Sequence, residues 1–199
     1  MSRNTKKNLI IEAFKLFASK PYDQVTFSDL EKVTGLSRGA ILYHIKTKEN
    51  LFTEVINYFV FQMTSVNTVR FDGEISLKDF IEAYINECRK EVENMRNIGI
   101  MNINLAQLNI ESQAFYFYPE MKNESSKWLE EQYMIWEKVI KYAISINEIG
   151  NTLDSRDIAS LFINQYLGIS YTGVTKEYGV EIDKLHKNFF IIYQMLKNR

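Results

Sequence analysis

The chain has 199 residues, 46% of them hydrophobic and 14% aromatic, which is enough to bury a substantial core and excludes a chain that is disordered throughout. The single cysteine, Cys88, excludes an internal disulfide, and no apolar run approaches the roughly 18 residues of a membrane span. Because residues 1–10 are polar and basic and lack the apolar core of a signal peptide, we expect a cytoplasmic protein.

Charge is unevenly distributed along the chain, although the formal net charge is only -1. Residues 1–60 contain 9 Lys and Arg against 6 Asp and Glu, and the remaining residues contain 15 against 19. The N-terminal part therefore carries +3 and the rest -4, a difference that chance could also produce. An excess of positive charge favours a nucleic-acid partner for the N-terminal part.

The first two helices are marked by their apolar spacing and by the residues that end them. A first helix over about residues 5–19 has one apolar stripe, and Pro21 stops it. Thr26 and Asp29 have the spacing of a capping box, so a second helix begins there. Gly35 lies just past its end, where a left-handed residue is favoured.

The third short helix follows Ser37 and divides its residues between two sides. Ile41 and Ile45 can pack inward, whereas polar or small residues are left outside. Arg can donate two hydrogen bonds to guanine, Gly lets the backbone approach a groove, and Tyr and His can donate to phosphates. Thr47 caps a fourth helix, whose first turn offers free N–H groups to a phosphate. This pattern predicts a helix-turn-helix that contacts DNA through Thr26, Ser28, Ser37, Arg38, Gly39, Ala40, Tyr43, His44 and Lys48.

The segment from about Lys7 to Phe59 resembles the N-terminal domain of the TetR family (TetR/AcrR type) of bacterial transcriptional regulators. The ordered set of matching residues carries the resemblance: Leu16-Phe17, Thr26, Leu30, Gly35-Leu36-Ser37-Arg38-Gly39, Tyr43-His44 and Lys48-Glu49-Asn50-Leu51-Phe52. The chain departs from the family at Pro21, where Gly is usual, at Leu42, where a DNA-contacting Tyr is common, and at Ile45, which replaces a Phe. These departures weaken the list of contacts more than the family assignment.

Apolar periodicity continues beyond the fourth helix, which is predicted to run to about residue 66, with a loop at residues 71–73. Further helices are predicted from Ser76 to about Glu93, over 98–109, from Pro119 to about Asn147, from Asp154 to about Glu177, and over 182–197. The prediction is an all-α chain of about nine helices. It would comprise a helix-turn-helix domain at 1–47, a connecting helix at 48–68, and a helical effector-binding and dimerisation domain at 69–199.

The final helix is apolar on two sides and therefore needs two partners to cover it, although one deeply buried helix in a monomer is the alternative. In the TetR family the last two helices form the dimer interface. The resemblance thus implies a homodimer whose interface contains Leu161, Gln165, Gly168, Ile169, Thr172, Leu185, Phe189, Ile192 and Leu196.

The family resemblance also implies a small-molecule effector, apolar or aromatic, that enters the C-terminal domain, tilts the fourth helix and releases DNA. Side chains that could line its pocket are Tyr84, Met101, Phe115, Phe117, Tyr133, Trp136 and Phe162. The same side chains could be ordinary core, because every helix bundle needs such stripes. A protein-binding adaptor of TetR type, or an orphan regulator without an effector, is the alternative function.

The alternative from a different functional class is an enzyme, but the sequence contains few features that would support catalysis. The only histidines are His44 and His186, and no phosphate loop, nucleophile elbow or paired-cysteine zinc spacing is present. We therefore predict a transcriptional regulator, by family default a repressor of a palindromic operator, with no catalytic residues, no cofactor and no metal site.

Overall fold

The computed structural model describes residues 3–62 and 74–197, which form nine α-helices and no strands, as the all-α prediction requires. The helices are α1 (Arg3–Ser19), α2 (Phe27–Thr34), α3 (Arg38–Ile45), α4 (Lys48–Ile56), α5 (Leu77–Asn97), α6 (Ile103–Phe117), α7 (Met121–Ser145), α8 (Ser155–Gly173) and α9 (Ile182–Leu196). A 3₁₀ turn, Tyr22–Gln24, follows α1, and α4 continues directly as a π-helical segment, Asn57–Gln62. The predicted end of the fourth helix and the predicted loop at 71–73 lie outside the described residues.

The first hydrophobic core lies between α1, α2, α3 and α4. Phe14 and Phe17 of α1 are fully buried, and the Phe14 ring stacks on Phe59 with centroids 3.9 Å apart. Ile110 and Ala114 of α6 are also fully buried and belong to the same core. Helix α6 is therefore packed into the N-terminal helices, although it comes 40 residues later in the chain than the end of that segment.

The second core lies between α5, α7, α8 and α9. Trp136 is 1% exposed and contacts Phe162 with ring centroids 4.6 Å apart, and it also contacts Phe80 at 4.9 Å and Phe189 at 5.5 Å. Cys88 is 3% exposed in this core. In the described part of the chain, every helix is too short or too polar to cross a membrane.

The predicted boundaries of α6 and the predicted start of α7 are wrong, and the residues around them show where the helices begin and end. Helix α6 starts at Ile103 because the Asn102 side chain caps it, accepting from Leu105 N at 2.9 Å, and it continues to Phe117 instead of ending at 109. Tyr118 is extended, as expected of a residue before proline, and this ends the helix. Helix α7 begins at Met121, so Pro119 precedes the helix instead of occupying its first position.

Candidate nucleic-acid interface and effector cavity

Helix α2 is fixed by short-range polar contacts at both ends. Thr26 Oγ1 accepts from Asp29 N at 3.2 Å, and Asp29 Oδ2 accepts from Thr26 N at 2.8 Å, which confirms the capping box. The Lys20 ammonium, 2.9 Å from Asp29, holds the pKa of that carboxyl well below its usual range, with help from the Thr26 N–H. Gly35 closes the helix with φ 67°, a left-handed conformation that glycine adopts without strain.

Helix α3 packs against α2 in such a way that one side of α3 remains exposed to solvent. Ser37 Oγ accepts from Ala40 N at 3.3 Å, and Arg38 N donates to Glu31 Oε1 of α2 at 2.7 Å. Ile41 and Ile45 are buried beneath it, at 0% and 2% exposure. The caps and the two isoleucines together determine which side of α3 faces solvent.

The open side of α3 carries an arginine, a glycine and an aromatic pair. Arg38 is exposed, with its guanidinium 4.9 Å above the Phe27 ring, and Tyr43 is 83% exposed. The His44 ring is half-buried and meets Tyr43 edge-on at 5.4 Å. Apart from its chain neighbours and the backbone of its own helix, no atom of the described residues lies within 4 Å of the position that a Cβ on Gly39 would take. The fold itself therefore does not need a glycine there, although glycine costs an exposed helix about 1 kcal/mol relative to alanine.

Lys48 is held by the protein itself. Its Nζ donates to Tyr22 O at 3.0 Å and to Val25 O at 3.1 Å, and it lies 4.4 Å from the centre of the Tyr22 ring. Burial and the nearby Glu49 carboxylate raise the pKa of Tyr22 to about 12. Lys48 thus ties the start of α4 to the α1–α2 connection and has one N–H left to offer a phosphate.

The other residues predicted to contact DNA lie around α3. Ser28 is exposed on α2, Thr26 and Ser37 are exposed but use their hydroxyls as caps, and Ala40 is half-buried. The nine residues thus lie at the start of α2, along α3 and at the start of α4. A DNA contact at any of them stays a prediction.

Residues 9–55 match the family model described as "Bacterial regulatory proteins, tetR family". Residues 9–55 thus resemble the corresponding segment of tetR-family regulatory proteins. Over 54 residues it is 39% identical to the HTH-type transcriptional regulator QacR of Staphylococcus aureus, a match that covers 27% of this chain and 29% of that one. Over 49 residues it is 43% identical to the HTH-type transcriptional repressor AcnR of Corynebacterium glutamicum, covering 25% and 26%.

These matches cover less than a third of the relatives' length, and the rest of the tetR-family likeness comes from structure. The fold is similar to that of a TetR-family transcriptional regulator from Agrobacterium tumefaciens, with a TM-score of 0.71, 12% identity, and coverage of 98% of this chain and 99% of that one. At that identity the likeness shows the fold alone. The C-terminal helices of this chain are thus arranged as in a TetR-family regulator.

A cavity of about 370 Å³ lies in the C-terminal part of the chain, between α6, α7, α8 and the π-helical segment. Its lining consists mainly of aromatic, aliphatic and uncharged polar side chains: Val60, Phe61, Asn104, Gln107, Leu108, Glu111, Phe115, Met121, Ser125, Trp128, Leu129, Tyr166, Leu167, Ser170, Tyr171 and Val174. Burial raises the pKa of Glu111 to about 7. The volume and lining are typical of small-molecule sites, which usually measure about 300–1,000 Å³.

Of the seven side chains predicted to line a pocket, only Phe115 lies on the wall of this cavity. Tyr84, Trp136 and Phe162 are at most 2% exposed, because they fill the second core. Met101 is 51% exposed outside the cavity, Phe117 stacks on Tyr22 at 4.5 Å, and Tyr133 lies under the Arg156 guanidinium at 4.3 Å. The structure therefore does not bring the seven together.

Sequence reasoning missed Phe61, Glu111, Trp128, Tyr166 and Tyr171 as cavity residues. Glu111 could have been recognised as a candidate site residue from the sequence, because it is a carboxylate that directly follows the buried Ile110 in an otherwise uncharged helix. The wrong end predicted for this helix, at residue 109, hid that feature.

Helix α6 connects the cavity with the N-terminal helices through its opposite side. Gln113 Nε2 donates to Phe17 O at 3.0 Å, and Gln113 Oε1 accepts from Tyr22 N. Asn109 Nδ2 donates to Ala18 O at 2.8 Å. The two amides satisfy carbonyls at the end of α1 that the helix itself leaves unpaired. A displacement of α6 would therefore pull directly on the end of α1.

The predicted dimer interface needs correction at three positions. Ile169, Leu185 and Phe189 are 5%, 0% and 0% exposed within one chain, so a partner cannot reach them. They face the second core because α8 and α9 each turn one apolar side inward. The predicted residues Leu161, Gly168 and Thr172 are exposed on α8, whereas Gln165, Ile192 and Leu196 are half-buried.

The outer side of α9 is also apolar, although the predicted interface residues do not include Ile191 or Met195. Ile191 is 49% exposed and Met195 is 80% exposed. Both line an open groove of about 810 Å³ between α9 and the α7–α8 connection, together with Leu153 and Phe190. Together with the exposed side of α8, this surface leaves apolar area available to a second copy of the chain.

Proposed function

We propose that the chain is a transcriptional regulator that binds a palindromic operator as a homodimer and leaves it when a small molecule enters the cavity. The observation that supports DNA binding most directly is the open side of α3. There Arg38, Gly39 and Tyr43 are exposed on a helix whose caps and buried isoleucines leave it little freedom to rotate. A helix of this kind is the element that a helix-turn-helix inserts into the major groove.

Arg38 is the side chain best suited to read a base. Its guanidinium lies over Phe27 and makes no ion pair with the described residues, so it can turn toward a guanine without breaking a salt bridge among them. We expect Arg38→Ala to weaken discrimination at one base position by about 1–3 kcal/mol. Lys122, exposed on α7 far along the chain, provides a matched loss of one positive charge as Lys122→Ala.

The experiment is fluorescence anisotropy with the DNA that flanks the protein's own gene, measured over a range of salt concentrations. A DNA reader loses affinity steeply as salt rises, and Arg38→Ala should relax base choice where Lys122→Ala does not. Binding that is insensitive to salt, with capture of another protein instead, would favour the adaptor function.

Dimerisation through α8 and α9 would place the two α3 helices about one or more turns of ~34 Å apart on DNA. We expect Leu161→Glu, which puts a charge on the exposed side of α8, to shift the protein toward monomer in sedimentation and to weaken operator binding. Met134→Glu is the matched control, since Met134 on α7 is exposed to a similar extent, 45% against 47%. Footprinting of one asymmetric half-site by a monomer would contradict this part of the proposal.

Effector release would use helix α6 as the connecting element. One side of α6 lines the cavity through Glu111 and Phe115, and the other side holds the end of α1 through Asn109 and Gln113. A ligand need only bind the state in which α6 is displaced better than the DNA-binding state. A coupling of about 1–3 kcal/mol between two sites is typical.

A further inference from the structure

The cavity between α6, α7 and α8 contains one carboxylate and no basic residue among its described lining residues. The other titratable side chains that face it there are the phenols Tyr166 and Tyr171, which carry no positive charge in either protonation state. Any charge that the described lining presents to a ligand is therefore negative and comes from Glu111.

Glu111 has no partner among the described residues, whereas two glutamates of α7 are paired. On α7, Glu124 pairs with Lys127 at 2.7 Å, and Glu130 pairs with Arg156 at 2.6 Å. Within the described part of the chain Glu111 makes neither an ion pair nor a hydrogen bond, and burial is the one cause of its raised pKa. A desolvated carboxylate without a partner costs free energy, so its retention beside a cavity needs a reason.

Aromatic rings from four elements surround the same space. Phe61 comes from the π-helical segment, Phe115 from α6, Trp128 from α7, and Tyr166 and Tyr171 from α8. The face of an aromatic ring carries negative charge density and attracts organic cations, most strongly where water is excluded. The rings and the carboxylate therefore both favour a positively charged ligand.

We propose that this cavity binds a small organic cation with an apolar body, whose positive charge pairs with Glu111 and whose body packs against the aromatic rings. The inference rests on the proposed effector-binding function and names the class of ligand. An anion would lie beside an uncompensated carboxylate, and a neutral ligand would bring no charge to offset it. A cation offsets the desolvated carboxylate with an opposite charge.

Binding can be tested on the full chain without DNA, using probes that differ mainly in charge. Tetraphenylphosphonium and tetraphenylborate are similar in shape and opposite in charge, and triphenylphosphine oxide is a neutral aromatic relative. Benzyltrimethylammonium is a smaller cation, in case the four-ring probes are too large. Quenching of Trp128 fluorescence and isothermal titration calorimetry at pH 8 would give dissociation constants, with Trp128→Phe assigning the optical signal to the cavity.

We expect at least one of the two cations to bind about tenfold or more tightly than the neutral and anionic probes, as a partly desolvated charge pair implies. Glu111→Gln should abolish that preference while leaving affinity for the neutral probe unchanged. Glu131→Gln, on the exposed side of α7, is the matched control and should behave as wild type. Circular dichroism would verify that each variant is folded.

Equal binding of cations and neutral probes, no binding of either cation, or a cation preference that survives Glu111→Gln would each overturn the proposal. Operator binding is measured separately. A protein that binds operator DNA but shows no Glu111-dependent cation preference would contradict this inference alone. A protein that binds cations through Glu111 but binds no operator DNA would contradict the proposed function alone.

Discussion

Polar groups in the N-terminal helices and the carboxylate at the cavity differ in whether they have a hydrogen-bond partner within the protein. Around α2 and α3, the polar groups are paired with partners a few residues away, as at Thr26 with Asp29 and Ser37 with Ala40. At the cavity, the Glu111 carboxylate has neither an ion pair nor a hydrogen bond among the described residues. Under the proposed function, the surface around α3 would need little rearrangement to bind a partner, whereas Glu111 would gain its partner from a ligand.

The largest effect on stability is expected when an aromatic side chain of the second core is truncated, and truncation of an aromatic side chain at the cavity should have a much smaller effect. Phe162 is fully buried against Trp136, so Phe162→Ala should lower the free energy of unfolding by about 3–5 kcal/mol. Phe115 is 59% exposed, so Phe115→Ala should cost less than about 1 kcal/mol while weakening ligand binding. Urea denaturation measures both, and similar losses for the two variants would remove the distinction between core and cavity.

Glu111→Gln should stabilise the free protein, in a way that depends on pH. The folded pKa of Glu111, about 7, lies above its ordinary value of 4.5, so wild type loses stability as pH rises through this window and the variant does not. We expect the variant to be more stable by about 2 kcal/mol at pH 8, allowing for partial contact with solvent, and to have no advantage near pH 4.

Thermal unfolding at several pH values measures this difference. The same experiment with a bound cation should reverse the order at pH 8, since only wild type gains from the ligand. An advantage of the variant that did not change between pH 4 and pH 8 would show that ionisation of Glu111 is not its cause.

Gln113→Ala should weaken the connection between the cavity and DNA by about 1 kcal/mol, because it removes the bonds to Phe17 O and Tyr22 N. The measurement is the ratio of operator affinities with and without ligand. Ser112→Ala, one residue away on the exposed side of α6, is the control. An unchanged ratio in Gln113→Ala would mean that the coupling travels by another route.

A similarly small effect is expected at the cap of α2. Thr26→Ala removes the hydroxyl that accepts from Asp29 N and should cost about 1 kcal/mol of stability. Thr26→Ser keeps that hydroxyl and should restore most of the loss. If serine and alanine behaved alike in thermal unfolding, the capping bond would not account for the effect.

How far the sequence predicted the structure depends on the range of the interactions involved. The caps at Thr26, Ser37, Thr47 and Ser76 and the left-handed Gly35 follow from residues within a few positions, and all are confirmed. The start of α6 depends on which asparagine caps it, and its end on the extended Tyr118; apolar periodicity predicts neither.

The cavity and the dimer surface could not be predicted in the same way. Apolar spacing shows that Trp136 and Phe162 face inward, but not whether the space beside them is filled. On α9 it shows two apolar sides, but not that Leu185 and Phe189 face the core while Ile191 and Met195 face out. Those outcomes depend on contacts with helices distant in the sequence.

The burial of Cys88 also makes the molecule convenient for distance measurement. It is the one thiol in the chain and is 3% exposed, so a cysteine introduced on the surface should be labelled selectively. Gly39→Cys suits this purpose, since apart from its chain neighbours and the backbone of its own helix no atom of the described residues lies within 4 Å of the new Cβ. Spin labels at that position in a dimer would report, by pulsed electron paramagnetic resonance, the spacing of the two α3 helices with and without a cation bound.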